Sequence, residues 1–173
     1  MRFAIPIPLL AAWALLCLAA CDTTEETLMV AVEDVVEGTG ETAATGDRLT
    51  VHYRGSLRTG KEFLTTCGDA NTPFTFTLGE PGLIDGWNRG ILGDDRAPTM
   101  REAGIRMMTV PSALAWGSRG AGCDENDQNC DVPPNEDVLF LVQLLEVLKP
   151  GEASTLPPDV PCALELANGP EPF

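Results

Sequence analysis

The chain predicts an α+β domain in which an antiparallel sheet wraps its apolar face around one short helix. Three observations support this. Five runs, at about 29–36, 49–54, 74–78, 105–110 and 138–147, read as strands. Only one stretch, about 83–92, reads as a helix, and it is short. A length of 173 residues suits one core with accessory segments at the ends. Many strands and one helix favour a sheet whose single apolar face is closed by that helix.

The elements follow in order. Leu49, Val51 and Tyr53 share one face of the second run. In Pro73-Phe-Thr-Phe-Thr-Leu-Gly79, Phe74, Phe76 and Leu78 alternate with Thr75 and Thr77, so a strand places the three apolar side chains together. Gly79 and the Pro81-Gly82 pair then turn the chain into the helix, where Ile84 and Trp87 stand three residues apart on one side. The last run sets Val138, Phe140, Val142 and Leu144 against Leu139, Leu141, Gln143 and Leu145. Met100, Met107 and Met108 read as core packing. Beyond Lys149, a segment with Pro150, Pro157, Pro158, Pro161, Pro170 and Pro172 is expected to hold no regular structure.

Residues 1–20 carry one positive charge at Arg2, a nearly unbroken apolar stretch from Phe3, and small residues before Cys21, the pattern of a secretory signal. Leu18-Ala19-Ala20-Cys21 resembles the lipobox of bacterial lipoproteins. That resemblance implies cleavage before Cys21, lipid on its sulfur and a chain anchored at the cell envelope, inner or outer membrane undetermined. Cys17 is a poorer candidate because Leu16 precedes it. An uncleaved membrane helix is disfavoured by Pro6 and Pro8. Residues 21–28 are then the lipidated terminus and spacer, 29–149 the folded domain and 150–173 the tail. With 11 Lys and Arg against 26 Asp and Glu, the formal net charge is −15. Nucleic acid is excluded as a partner class, whereas basic polypeptide segments are compatible.

Cys67, Cys123, Cys130 and Cys162 remain after Cys17 and Cys21, an even number suited to two disulfides in an exported chain, with three possible pairings. Cys123 and Cys130 enclose six residues of a polar loop, which favours their mutual pairing and leaves Cys67 with Cys162. Zinc is disfavoured by the absence of CxxC spacing and of an adjacent His. The stretch 124–131 is a solvated acidic loop; it lacks the sixth-position Gly and twelfth-position Glu of an EF-hand. His52, the only histidine, faces away from Tyr53 without an acid or nucleophile partner, which suggests hydrogen bonding or a strand-surface role.

Val51-His-Tyr-Arg-Gly55, Gly60-Lys-Glu-Phe63, the Phe74 strand, Leu83-Ile-Asp-Gly-Trp87, Ala113-Leu-Ala-Trp-Gly117 and Val138-Leu-Phe140 together resemble the FKBP-type peptidyl-prolyl cis-trans isomerases, over about residues 30–148. The resemblance implies a half-open, strongly twisted sheet with a ligand pocket between helix and sheet. It implies Trp87 as pocket floor, Tyr53, Phe63, Phe74 and Phe140 as walls, Leu83 and Ile84 at the rim, and Trp116, Leu64 and Val132 as further contacts. Proline-containing polypeptides are the implied clients and macrolides the implied inhibitors, with no cofactor, no metal and a monomeric domain. Relative to compact members, 94–99 and 118–131 read as insertions, the second beside the pocket. Two positions depart from the family pattern: Leu64 stands where an Asp is usual, and Trp116 where a Tyr is usual. An indole N–H donates but does not accept, so catalysis is expected to be reduced relative to binding.

Such a pocket needs no nucleophile. Rotation about an Xaa-Pro bond opposes a barrier of roughly 18–20 kcal/mol. The twisted transition state loses amide resonance and becomes less dipolar, so apolar walls disfavour it less than the planar ground state.

Overall fold

A computed structural model of the chain describes residues 28–68, 70–124, 129–157 and 159–164. Residues 1–27, which include the expected leader and Cys21, lie outside them. No helix among the described residues is long and apolar enough to cross a membrane.

Six strands and one helix follow as β1 (Ala31–Val36), β2 (Arg48–Leu57), β3 (Glu62–Thr65), β4 (Phe74–Thr77), α1 (Asp85–Leu92), β5 (Ile105–Val110) and β6 (Val138–Leu148). All pairings are antiparallel, in the order β1-β5-β6-β2-β3, and β4 also pairs with β2. The five expected strands all form. β3 was not expected: four residues are too few for alternation to register, and the strand exists because Arg54, Gly55 and Ser56 of β2 offer it an edge.

The inner face is the core. Leu49, Val51, Met108, Val110, Val138, Phe140, Val142, Leu144 and Val147 are buried there against Trp87 and Ile91 of α1. Register shifts between Thr50 and Val51 against β6, so Thr50 pairs with Glu146 and Val51 with Leu144. This bulge lets Leu144 and Val147 both face inward although three residues separate them. The helix approaches β5 through two glycines four residues apart. A Cβ on Gly86 would lie 2.2 Å from Val110 Cγ1, and one on Gly90 would lie 2.3 Å from Met108 Sδ. Glycine is unfavourable inside a helix by about 1 kcal/mol relative to alanine, and here close packing offsets that cost. Arg106, on the same inner face and 1% exposed, ties the helix end to the sheet. Its Nε and Nη2 donate to the two Asp34 oxygens at 2.6 and 2.8 Å, Nη1 to Gly90 O at 2.9 Å and Nη2 to Pro98 O at 2.7 Å. The segment after the helix, read as an insertion, thus supplies a carbonyl to this buried guanidinium.

The outer face is covered by the tail. Leu164, fully buried, packs with Ile105 and Leu141 and with the half-buried Met107, Cys67, Cys162 and Ala163. Cys67 and Cys162 are joined, as are Cys123 and Cys130. The described part of the tail, up to Leu164, holds no regular structure, as expected, yet it is docked. His52 faces away from Tyr53 but is not on the surface: it is fully buried, because the tail lies over it. Its Nε2–H donates to Val160 O at 2.9 Å, while Nδ1 meets Thr66 Oγ1 at 3.1 Å. The histidine does stand beside two cysteines; ligand atoms of His52, Cys67 and Cys162 lie within 4.8 Å of one another. The two sulfurs are bonded to each other.

Candidate functional site

The cavity between α1 and the inner face has a volume of about 150 Å³ and is lined by Tyr53, Leu64, Phe74, Gly82, Leu83, Ile84, Trp87, Trp116 and Phe140. Each wall comes from a different element. β2 presents Tyr53, β3 Leu64, β4 Phe74, the helix Trp87, β6 Phe140, and the turn after β5 presents Trp116. Trp87 is 4% exposed and forms the floor. Its ring meets Tyr53 at 5.0 Å and Phe140 at 5.4 Å between centroids, both nearly perpendicular. Phe74 stands 6.0 Å from Tyr53, edge to face. Rings locked edge to face cannot slide together, so the space between them stays open.

A second layer supports these walls. Phe76 stacks on Phe74 at 5.6 Å and meets Trp87 at 5.6 Å. Phe63, expected as a wall, does not line the cavity; it sits behind Trp116 and Phe140, at 5.7 and 5.9 Å. Gly55 makes this possible, since a Cβ there would come within 2.9 Å of both Phe63 Cζ and Phe140 Cε1. Val132, expected as a substrate contact, is 1% exposed in the core. Its antiparallel bridge with Ala121 turns it inward, with N–H to O distances of 3.0 and 2.9 Å in the two directions. Among described residues of the loop after β5, only Trp116 reaches the cavity. The described residues 121–124 and 129–132 pair as a narrow ribbon, with Cys123 bonded to Cys130. Gly82 also lines the cavity and was not singled out; the Pro81-Gly82 turn signal marked its position.

The electrostatics are quiet. Among the described residues that line the cavity, Tyr53 is the one that titrates, and burial raises its phenol above the ordinary value of 10.0, so the hydroxyl stays a neutral donor through the physiological range. Its backbone N–H donates to Thr66 Oγ1 at 2.8 Å. Leu64, 46% exposed, occupies the rim with an apolar surface. Ile84 is the N-cap of α1 and supplies no side-chain cap. The result is a small apolar cup with the phenol of Tyr53 and the indole of Trp116 among its walls. At about 150 Å³ it is well below the roughly 300–1,000 Å³ of pockets that enclose drug-sized ligands, a size suited to a single small ring.

The family model for FKBP-type peptidyl-prolyl cis-trans isomerases matches residues 39–145. The chain is 39% identical over 116 residues to an FK506-binding protein of Neisseria meningitidis, covering 67% of this chain and 94% of that one. It is 36% identical over 126 residues to the chloroplastic peptidyl-prolyl cis-trans isomerase FKBP13 of Arabidopsis thaliana, covering 73% of this chain and 59% of that one. The crystal structure of AtFKBP13 superposes with a TM-score of 0.63 at 38% identity, over 68% of this chain and 91% of that chain. Cavity, sheet order and sequence agree: this chain belongs to the family of FKBP-type peptidyl-prolyl cis-trans isomerases.

Proposed function

We propose that this protein assists the folding of exported polypeptides by isomerising their Xaa-Pro bonds while anchored at the cell envelope. The observation that carries the isomerase reading is the cavity, an aromatic cup with room for one prolyl ring and no acid-base pair on its walls. Seating the ring on Trp87 removes water from the imide, and the rotating carbonyl meets an apolar wall instead of solvent. The less dipolar twisted state is then favoured relative to the planar one. Donors at the rim, the Tyr53 hydroxyl and the Trp116 indole, hold flanking carbonyls while the bond turns. The envelope reading is supported by the leader-like residues 1–20, the lipobox-like Leu18-Ala19-Ala20-Cys21 and an even cysteine number suited to an oxidising compartment. Macrolide binding is supported by the FK506-binding name of the Neisseria relative, with Leu83 and Ile84 as the contact rim.

Exchange NMR on a Leu-Pro peptide tests the reading, with the protein from Thr23 onward expected to accelerate interconversion. Binding without acceleration would leave a prolyl-peptide-binding module, an outcome favoured by Leu64 and Trp116 on the cavity wall. Leu64→Asp is the diagnostic variant. If the missing carboxylate limits turnover, its rate rises with the fold unchanged; an unchanged or lower rate shows that the pocket works by another arrangement.

A further inference from the structure

Beside the prolyl cavity lies a second one of about 370 Å³. The two share Gly82, Leu83 and Ile84 as a partition. Gly82, at φ +120°, has open space where a Cβ would stand, so the partition is low at that point. The far side is closed by the turn at Ala113, Leu114 and Ala115, where the two alanines leave room. An extended peptide rises roughly 3.3 Å per residue, so a chain with proline on Trp87 crosses this partition within a residue or two.

Among the described residues that line this second cavity, Asp85 is the only ionisable one. It is exposed, and among the described residues no ion pair engages it. Arg89, one helical turn away, instead donates to the Leu28 carbonyl at 3.1 Å. The chain's formal net charge of −15 adds no competing positive field. A long cationic side chain fits this place: its methylenes lie along Leu83 and Ala115 while its charge reaches Asp85.

Resting on the isomerase reading, we propose that this cavity is a specificity subsite that takes a Lys or Arg side chain flanking the client's Xaa-Pro pair, with Asp85 as its anionic anchor. The test uses the full-length protein and Leu-Pro peptides in which Lys, Ala or Glu is placed in turn at each of the two residues on either side. At one position the Lys peptide should exceed the Ala peptide in kcat/KM by about two- to fivefold at low salt, the range of a partly exposed ion pair. High salt should shrink that ratio. Asp85→Asn should abolish it, Asp85→Glu should retain it, and Asp85→Lys should invert it in favour of the Glu peptide. Because the ratio is taken within each variant, partial loss of folded protein cancels. A ratio near one at every position, or one that survives Asp85→Asn, overturns the subsite and leaves the isomerase reading standing if the Ala peptide is turned over. Failure to turn over or bind any of the peptides overturns both.

Discussion

The two faces of the sheet are filled by opposite means. On the inner face, seven rings from four strands, the helix and a turn meet, mostly edge to face, and leave a hole; on the outer face, aliphatic and sulfur side chains close around Leu164 and leave it fully buried. The inner packing is rigid because each aromatic ring touches two or more others at fixed angles. The outer packing depends on a segment without secondary structure, held by one disulfide and by hydrogen bonds to His52, Asn71 and Gln143. An open cavity therefore needs stiff walls, whereas a loosely patterned tail needs a covalent tie. Thr66 links the faces: its Oγ1 contacts His52 Nδ1 on the outer side and accepts the Tyr53 N–H of the pocket wall. The described part of the tail, up to Leu164, is thus seated on the face away from the cavity.

The strongest way to break the inner face is Trp87→Ala. Removing a buried indole that touches Tyr53, Phe74, Phe76 and Phe140 should cost roughly 3–5 kcal/mol in urea unfolding and abolish peptide binding. A variant that unfolds like the wild type would place the pocket floor elsewhere.

The outer face is tested by replacing Cys67 and Cys162 together with Ser. The bridge spans 95 residues of sequence, and loss of such a closure typically costs about 2–4 kcal/mol. Isomerase activity at a temperature where the variant is folded should fall much less than in Trp87→Ala. Equal losses in the two variants would mean that the Thr66 contact couples the faces strongly.

The smallest effect concerns pH. Tyr53 has its phenol raised by burial, so the folded state retains a proton that the unfolded chain begins to lose near 10.0. Its contribution to stability is fully present below that value and declines as pH rises toward the folded-state value. Stability of the wild type should therefore fall more than that of Tyr53→Phe between about pH 9.5 and 11. Parallel curves would show that the hydroxyl is solvated.

Much of the fold was legible in the sequence because alternation in β2, β4 and β6 and the spacing of Ile84 and Trp87 report directly which side chains must avoid water. The same periodicity grouped Tyr53 with Leu49 and Val51, and Phe140 with Val138 and Val142; that these two rings face one pocket with Phe74 and Trp87 was implied by the family resemblance. β3 was illegible because its four residues are ordered by the edge of β2 rather than by their own pattern. Periodicity names a face, not a depth: Phe63 and Phe140 belong to one cluster, but only the missing Cβ at Gly55 puts Phe63 behind its neighbour. Val132 and His52 were decided by partners distant in sequence, a cross-loop bridge to Ala121 and a carbonyl 108 residues away at Val160. Local sequence sets which surfaces seek burial; which segment arrives to bury them depends on chain closure, and that is settled only when the whole structure is assembled.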